Sequence, residues 1–240
     1  MEVDLYVIPM AGLSSRFTKA GYSKPKYMLD VIDKPLFDWA VSSFSDYFGD
    51  EEFTFIFRDV LGTTDFLNER VNAMGIKNAN FVCLEGETRG QADTVALGLK
   101  EVRAEDNRAV TIFNIDSFYR NYSFADFDSD GFLDVFVGEG DGWSFVEPEC
   151  EGRVKRLAEK QRISPLCCTG LYHFNTISLF IDAFEQELVE RQCSELYIAP
   201  IYNHLIKSGS VINYRLVEND SIEFLGTPQE YEDFLENNQS

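Results

Sequence analysis

The sequence of 240 residues contains no run of 18 or more apolar residues, and this absence excludes a transmembrane helix. Its first residues, MEVDLYVIP, include two acids and no basic segment, so we expect no signal peptide. Basic residues are scarce: 21 Lys and Arg stand against 41 Asp and Glu, a formal net charge of −20. A chain this acidic repels nucleic acids and anionic membrane surfaces. We therefore expect a cytoplasmic protein that binds neither.

The sequence also lacks the patterns of a disulfide framework or a zinc site. It has no CxxC pair, and its two histidines, His173 and His204, do not complete a zinc pattern. The cysteines are odd in number and irregularly spaced: Cys83, Cys150, Cys167, Cys168 and Cys193. We expect reduced and mostly buried thiols.

Short β-type segments alternate with helical patterns in the first half of the chain. The predicted strands are Asp4–Met10, Phe53–Arg58, Ala79–Leu84 and Ala109–Asn114. The predicted helices between them are Pro35–Phe48, Thr64–Met74 and Gln91–Val102. This alternation predicts an α/β fold with a Rossmann-like mixed, mainly parallel sheet flanked by helices. Ligands of such sheets bind beyond the carboxyl ends of the strands.

The second half is richer in strands and shows no linker. Its predicted strands are Phe132–Val137, Ser144–Glu147, Val154–Leu157, Leu166–Phe174 and Val211–Val217. Its predicted helices are about Thr176–Arg191, about Ser194–Ser208 and a last helix after Pro228. We expect this half to complete the same sheet as a lobe of one domain, residues 1–240.

Two basic segments stand out against the acidic average. Residues 12–28 contain four basic residues and no acid: Arg16, Lys19, Lys24 and Lys26. Residues 152–163 contain five basic residues and one acid, Glu159; the basic residues are Arg153, Lys155, Arg156, Lys160 and Arg162. Both segments favour local anion binding, although a solvated surface stretch is an open alternative for the second.

Small residues follow the first predicted strand. The segment PMAGLSSRF places Ala11, Gly12 and two serines directly after Pro9. Such residues let a backbone approach a phosphate chain and direct N–H groups at it. Arg16, at the end of the segment, can make charge-assisted bonds to phosphates. The segment matches neither the P-loop nor GxGxxG, so on these residues alone an ordinary strand-to-helix turn stays open.

A set of short segments in the right order resembles the sugar-phosphate nucleotidylyltransferase family. AGLSSRF and KPKYMLDVIDKPLFDWAV resemble the family's nucleotide-binding signature, and ETRGQADTVALGL its base-recognition turn and helix. FNID resembles its metal-binding aspartate strand, VKRLAEK and CTGLYHF its acceptor segments, and FLGTPQEYEDF its terminus. The resemblance extends from about residue 5 to residue 235, and its short A-G-x-S-S-R-F loop looks most like the cytidylyltransferase branch.

The resemblance implies a reaction and a division of the chain. The family couples a nucleoside triphosphate to a phosphorylated acceptor and releases pyrophosphate, without a covalent enzyme intermediate. Residues 1–120 would bind the nucleotide and residues 121–240 the acceptor. The nucleotide would be CTP, UTP or dTTP, and the acceptor a sugar 1-phosphate, an aminoalcohol phosphate such as phosphocholine, or a similar metabolite. A homo-oligomer and a role in surface-polysaccharide precursor synthesis are also implied as family expectations.

The resemblance also assigns roles to single residues. The nucleotide would be bound by Ala11, Gly12, Leu13 and Ser14 in the loop and by Gly90 and Gln91 at the base. Arg16 and Lys26 would be the catalytic cations at the triphosphate, and Asp116 would bind Mg²⁺. The acceptor would contact Glu159, Gly170 and, through its phosphate, Lys160.

The sequence departs from the family pattern at two positions. Ser14 replaces a glycine, and since serine does not reach positive φ cheaply, the backbone is expected to differ there. Phe224 replaces a metal-binding aspartate that the family carries two residues before the glycine of its Gly-Thr-Pro motif, here Gly226. Glu223 and Asp220 are the two acidic candidates to replace that aspartate as a metal ligand. Metal binding through Asp116 and the phosphates alone is the third alternative.

Two other functions stay open on the sequence. A glycosyltransferase of related fold would use Asn114-Ile115-Asp116 as a metal motif, but it would not need Arg16 and Lys26 around a triphosphate. A non-catalytic nucleotide-binding regulator would be consistent with Ser14 and Phe224.

Overall fold

Strands and helices alternate along the chain much as the sequence predicts, in a computed structural model that describes residues 4–238. The strands are β1 Leu5–Pro9, β2 Asp30–Val31, β3 Lys34–Pro35, β4 Glu52–Phe57, β5 Asn78–Cys83, β6 Val110–Phe113, β7 Ser117–Tyr119, β8 Gly131–Val137, β9 Ser144–Cys150, β10 Arg153–Glu159, β11 Leu166–Phe174, β12 Ile212–Leu216 and β13 Ile222–Phe224. The α-helices are α1 Ser15–Lys19, α2 Leu36–Ser42, α3 Thr63–Met74, α4 Gln91–Glu101, α5 Ile177–Val189, α6 Ile198–Lys207 and α7 Pro228–Asn237.

One large mixed sheet passes through both halves of the chain, in the order β5-β4-β1-β6-β11-β8-β12-β10-β9. Its first four strands pair in parallel. β11 then pairs antiparallel with both β6 and β8, and β12 returns parallel to β8. The predicted α/β fold is confirmed. The division of roles between residues 1–120 and 121–240 stays a prediction.

Both faces of the sheet are covered, and β1 shows how the sequence achieves this. Leu5 and Val7 point into an aliphatic core against α4, α5 and α6. Tyr6 and Ile8 point to the opposite face, into an aromatic-rich core against α2 and α3. Successive side chains of a strand alternate between faces, so an uninterrupted apolar run is the pattern of a strand buried on both sides.

Two predicted helices are longer than those in the structure. The helix predicted over Pro35–Phe48 ends at Ser42 and is followed by a 3-10 turn over Ser45–Tyr47. The helix predicted from Ser194 begins at Ile198. The residues just before it form bends and a loop, and the backbone of Leu196 is hydrogen-bonded to the segment that opens α4. At the start of α6, tertiary contacts thus override the local helical pattern.

β7 and β13 form a separate antiparallel pair at the end of β6. Leu225 follows β13 and donates its backbone N–H to the carbonyl of Asp116 over 2.8 Å. Thr227 then begins α7 with a capping box, in which its hydroxyl and the Glu230 carboxylate satisfy each other's backbone N–H groups. The Gly226-Thr227-Pro228 segment therefore lies beside Asp116.

The five cysteines are free. Cys167 and Cys168 are buried, but Cys83 and Cys150 are exposed, so the prediction of mostly buried thiols is wrong for these two. No helix within residues 4–238 has the length and apolar character needed to cross a membrane.

Candidate active site

A cleft of about 880 Å³ lies at the carboxyl ends of β1 and β6, as expected for this type of sheet. It brings together ten of the residues assigned from the sequence: Ala11, Gly12, Leu13, Arg16, Lys26, Gly90, Gln91, Asp116, Glu159 and Gly170. Ser14 and Lys160 do not line it. Ser14 faces a smaller depression of about 170 Å³ on the other side of the loop, together with Lys24 and Arg58.

Ser14 has a left-handed backbone conformation, the region that favours glycine. Its φ is 50° and its ψ is 32°, so serine does reach the positive φ that the sequence analysis expected it to avoid. The side chain supplies a reason, because its hydroxyl accepts a hydrogen bond from the N–H of Lys26 over 3.2 Å. That bond offsets part of the strain, which is about 1 kcal/mol or more for a residue with a Cβ.

The glycines of the cleft are required for different reasons. A Cβ on Gly12 would meet no atom within 4 Å, so packing does not require glycine there. A Cβ on Gly90, whose φ is 145°, would lie 2.5 Å from the backbone nitrogen of Leu196. Gly90 is therefore needed by the fold itself, whereas Gly12 leaves open space where a ligand can approach the backbone.

Arg16 lies on α1, and Lys26 lies in the 3-10 turn over Lys26–Met28 that follows it; both line the cleft. Arg16 is exposed, and its side chain makes no hydrogen bond or ion pair to any residue in the range 4–238. The ammonium of Lys26 lies 2.5 Å from Oδ2 of Asp116 in a half-buried ion pair. One cation is thus free for an anionic ligand, and the other is already held against a carboxylate.

Asn114 links the two ends of the cleft. Its Oδ1 accepts a hydrogen bond from Nε2 of Gln91, at the start of α4. Its backbone N–H donates to the carbonyl of Gly170 over 3.1 Å. A Cβ on Gly170, at φ 97°, would collide with the Asn114 side chain at 2.6 Å. Gly170 and Gln91 are therefore fixed relative to each other through one asparagine, which the sequence offered only as part of a metal motif.

A buried polar network supports Gly170 from behind. The Tyr119 hydroxyl contacts Thr169 Oγ1 over 2.9 Å and donates to Asp134 over 2.8 Å. Asp134 has no solvent exposure and is held by the guanidinium of Arg215. Burial raises the pKa of Asp134, and Arg215 opposes that rise. The network fixes Thr169, the residue before Gly170, at a bulge of β11.

Neither acidic substitute for Phe224 reaches the cleft. Glu223 pairs with Arg120 over 2.5 Å, away from Asp116, and Asp220 is exposed in a 3-10 turn. The carboxylate that does line the cleft beside Asp116 belongs to Glu230, on α7. Both carboxylates approach the position of a Cβ on Gly226, Asp116 at 3.0 Å and Glu230 at 3.7 Å. The sequence analysis missed Glu230 because its capping pattern indicates only a helix start.

The acceptor residues predicted from the sequence lie at the other end of the cleft. Glu159 is almost fully covered and accepts a hydrogen bond from the Ser144 hydroxyl. Burial raises the pKa of Glu159, while Ser144 and Lys160 work in the opposite direction. The ammonium of Lys160 lies 2.5 Å from the Tyr197 hydroxyl and 3.6 Å from Oε1 of Glu159. Lys160 is thus directed at Tyr197 rather than into open cleft.

Aromatic side chains cover the same end of the cleft. The Phe224 ring lies 4.8 Å from the ring of Trp143 and 4.8 Å from that of Phe136, between centroids. Phe224 and Trp143 are half-buried and line the cleft. The residue that replaces the family's aspartate therefore belongs to an aromatic wall.

Most of the second basic segment is neutralised. Lys155 and Arg156 both pair with Glu147 on the neighbouring strand, and Arg153 pairs with Glu149. These ion pairs are solvent-exposed and favour the solvated alternative for these three residues. Strand pairing explains the contact between Arg156 and Glu147, which lie opposite each other on β10 and β9.

The segment before α6, residues 192–197, connects the end of the cleft predicted to bind the nucleotide with the end predicted to bind the acceptor. Leu196 donates its N–H to Arg89 over 3.0 Å and accepts a bond from Ala92 over 2.8 Å, both beside Gly90. The next residue is Tyr197, the partner of Lys160. On α6, Asn203 bonds both the N–H and the carbonyl of Leu157 on β10, over 2.8 and 2.9 Å.

Comparison with solved structures gives close and distant relatives. The nucleoside-diphosphate-sugar pyrophosphorylase from Vibrio cholerae RC9 is 46% identical over 96% of this chain and 99% of its own, with a TM-score of 0.92. The inositol-1-phosphate CTP transferase from T. maritima is 14% identical over 100% and 99%, with a TM-score of 0.77. The UDP-glucose pyrophosphorylase from Acinetobacter baumannii is 14% identical over 97% and 92%, with a TM-score of 0.70. No protein-family model and no curated protein matches the chain.

The two distant structures share the fold, and the first shares nearly half of its residues over the full length of both chains. An identity of 46% over such a length confirms the family that the motifs indicate, and it favours a nucleotidylyltransferase over the glycosyltransferase and the non-catalytic regulator left open above. The chain therefore belongs to the nucleoside-diphosphate-sugar pyrophosphorylases, within the sugar-phosphate nucleotidylyltransferases.

Proposed function

We propose that this enzyme joins a nucleoside triphosphate to a phosphorylated small molecule in the cleft at the ends of β1 and β6. The observation that carries the site is the juxtaposition of a free cation, Arg16, a paired cation, Lys26, and an open loop at Gly12. In a chain of net charge −20, Arg16 and Lys26 beside the same loop concentrate positive charge where a polyanion can bind.

The nucleotide occupies the loop side of the cleft. The backbone of Ala11, Gly12 and Leu13 lies along its phosphates, and Gly90 with Gln91 faces its base. Ser14 supports the loop from outside the cleft through its bond to Lys26. Arg16 holds the β- and γ-phosphates, since a guanidinium can bind two phosphate oxygens at once.

The reaction is a displacement at phosphorus. An oxygen of the acceptor phosphate bonds to the α-phosphorus, and the bond from that phosphorus to the bridging oxygen of the β-phosphate breaks. The electron pair leaves with pyrophosphate, so no enzyme nucleophile is involved. Lys26 neutralises charge at the α-phosphate and Arg16 on the leaving pyrophosphate, which is positioning and charge stabilisation.

The residues beside Asp116 fit Mg²⁺. This cation takes one or two carboxylates and completes its shell with substrate phosphates and water. Asp116 and Glu230 offer two carboxylates beside Gly226, and residues 4–238 contain no group of three or more metal-ligating side chains. When bound, Mg²⁺ would neutralise phosphate charge. Asp116 would then hold the cation, and Lys26 would be released from its ion pair toward the α-phosphate.

The acceptor occupies the opposite end, beside Gly170 and Glu159. Lys160 is close enough to follow its phosphate, because a lysine ammonium on a flexible stem can move with its partner. The base, the cytoplasmic location, a homo-oligomer and a role in surface-polysaccharide precursor synthesis stay predictions from the sequence.

Pyrophosphate release tests the proposal directly. The full chain is incubated with Mg²⁺, each of the four common NTPs and a panel of acceptors: glucose 1-phosphate, inositol 1-phosphate and phosphocholine. We expect release that needs both substrates and falls in the Arg16→Ala variant. Lys155→Ala is the matched control, because it removes a cation of β10 that is paired with Glu147 on β9. Release without any acceptor, or equal loss in both variants, would contradict the proposed site.

A further inference from the structure

The smaller depression lies against the outer side of the loop that borders the cleft. It has a volume of about 170 Å³ and shares three lining residues with the cleft, Ala11, Gly12 and Leu13. Its other walls come from the turn after α1 and from the segment that follows β4. Arg16 and Lys26 do not line it. The loop is therefore a partition between two separate cavities.

The side chains around the smaller depression carry positive charge only. Lys24 and Arg58 line it, and within residues 4–238 none of its lining residues is Asp or Glu. Lys24 is exposed and forms no ion pair in this part of the chain. Arg58 has a loose contact of 3.9 Å with Glu87, and the neighbouring Asp59 accepts a bond from the N–H of Thr64 over 3.0 Å. Both cations can therefore bind an anion without breaking a close ion pair.

Hydroxyl groups add hydrogen-bond donors beside these cations. Ser14, Thr18 and Ser23 line the same depression. The Ser14 hydroxyl accepts a bond from the N–H of Lys26, so its own hydrogen remains available to a ligand. Cations and hydroxyl donors without a carboxylate suit the oxygens of a phosphate group.

The rim of the depression is apolar and exposed. Leu13, Val60 and Leu61 line it with 57%, 39% and 71% of their surfaces exposed. Leu61 also has a left-handed backbone, with a φ of 53°, a conformation that favours glycine or asparagine. Folding gains little from a leucine in this place, because its side chain is neither buried nor in a preferred conformation. Exposed apolar side chains gathered at one cavity indicate a contact with a ligand.

We propose that the smaller depression is a second ligand site, which binds a phosphate monoester with an apolar body. Lys24 and Arg58 hold the phosphate, and the apolar body covers Val60 and Leu61. Its volume is below the range of about 300–1,000 Å³ for pockets that enclose a drug-sized ligand, so the site takes a small ester. The net charge of −20 opposes an anionic membrane surface, and this favours a free molecule over a lipid headgroup.

Three probes separate the two parts of the ligand. Binding of phenyl phosphate, inorganic phosphate and benzyl alcohol to the full chain is measured by calorimetry. We expect phenyl phosphate to bind at least about tenfold more tightly than inorganic phosphate, the effect of removing about 60 Å² of apolar surface from water. Benzyl alcohol lacks the charge and should bind more weakly than either. Equal affinities for the two phosphates, or binding of benzyl alcohol as tight as that of phenyl phosphate, would overturn the inference.

Variants locate the binding. Lys24→Met should weaken phenyl phosphate about tenfold, and Leu61→Asn should bring its affinity close to that of inorganic phosphate. Both variants should fold, because Lys24 is exposed and asparagine tolerates the backbone of Leu61. Lys19→Met is the matched control, since Lys19 is an exposed lysine of the same basic segment and lines neither cavity. Equal weakening in the two lysine variants, or unchanged binding in Lys24→Met and Leu61→Asn, would overturn the inference.

Two further experiments address the alternative locations of the ester. Arg16→Ala removes a cation of the cleft, and phenyl phosphate should still bind this variant; Lys24→Met added to it should weaken that binding. Loss of binding in Arg16→Ala alone would place the ester in the cleft and overturn the inference. The full chain should not float with vesicles of phosphatidylcholine and phosphatidic acid. Flotation that Lys24→Met abolishes would overturn the assignment to a free molecule.

This inference and the proposed function fail separately, because no residue assigned a catalytic role lines the smaller depression. Pyrophosphate release without binding of phenyl phosphate at Lys24 would overturn this inference alone. Binding of phenyl phosphate at Lys24 without pyrophosphate release from any NTP would overturn the proposed function alone.

Discussion

The ammonium of Lys26 and the carboxylate of Asp116 face each other across the cleft at 2.5 Å, with 21% and 26% of the side chains exposed. Lys26 comes from the segment after α1, and Asp116 from the end of β6, so 90 residues of chain separate them. In the proposed function Lys26 serves a phosphate and Asp116 a cation. Because each group is the other's partner in the free protein, we expect binding of the two ligands to be coupled through this pair.

Removing either cation of the cleft should slow the reaction without unfolding the protein. We expect Arg16→Ala and Lys26→Ala each to lower kcat by about 10²–10³, the usual loss for one preorganised charged donor. Steady-state pyrophosphate release measures this, and circular dichroism checks the fold. Near-normal turnover in both variants would exclude these residues from the active site.

The carboxylate of Asp116 should be needed for Mg²⁺, and that of Glu223 should not. Asp116→Asn replaces a charged oxygen with a neutral one and should abolish most Mg²⁺-dependent activity and Mg²⁺-dependent nucleotide binding. Glu223→Gln, whose partner is Arg120 outside the cleft, is the matched control and should be silent. Titration of nucleotide binding against Mg²⁺ distinguishes the two. Loss in the Glu223 variant would place the cation elsewhere.

Substitution of two glycines should distinguish a position needed for ligand binding from one needed for folding. Gly12→Ala should leave thermal stability unchanged and raise the nucleotide KM about tenfold, because its methyl group enters open space in the cleft. Gly90→Ala should cost about 2 kcal/mol or more of stability, because its Cβ would overlap the Leu196 backbone. Thermal melts and KM measurements on both variants test this contrast. A Gly12 variant with unaltered kinetics would remove the nucleotide from this loop.

Lys160→Ala should act on the acceptor. We expect it to raise the acceptor KM much more than the nucleotide KM, with part of the rate restored at saturating acceptor. Lys155→Ala, paired with Glu147, serves as control. A raised nucleotide KM with an unchanged acceptor KM would mean that the two ends of the cleft are assigned the wrong way round.

His173 should make the fold acid-sensitive. The His173 ring is buried, stacked on Phe132 and hydrogen-bonded to Thr111. Desolvation lowers its pKa from 6.5 to about 4. The unfolded chain takes up the proton first as the pH falls, so stability decreases between about pH 6.5 and pH 4. At pH 5 the loss is about 2 kcal/mol. His173→Phe, measured by urea unfolding at pH 7 and pH 5, should show a smaller loss; an identical pH slope would contradict the assignment.

The sheet could be predicted from the sequence because the apolar pattern of each strand shows which of its faces are buried. β1 is a continuous apolar run, and its alternate residues serve two cores. The small residues after it also place the cleft, since strand ends converge in a parallel sheet. The loop after β1 and Asp116 after β6 meet there for this reason.

The features that were missed depend on contacts between distant segments. Arg156 lies opposite Glu147 because of the register between β9 and β10. Its ion pair therefore cannot be predicted from the basic segment alone. Glu230 comes near Asp116 only because Leu225 is bonded to that residue's carbonyl. The left-handed Ser14 depends likewise on Lys26, which is 12 residues away.

The backbone bonds of Leu196 constrain how this enzyme can be altered. One short segment carries Tyr197, at the end proposed for the acceptor, and contacts the turn at Gly90, which is proposed to face the base. Redesign of acceptor selectivity through this segment would therefore disturb the choice of nucleotide as well. The Trp143–Phe224 wall has no such bond to α4, so an engineer seeking a new acceptor with the same nucleotide should vary the wall first.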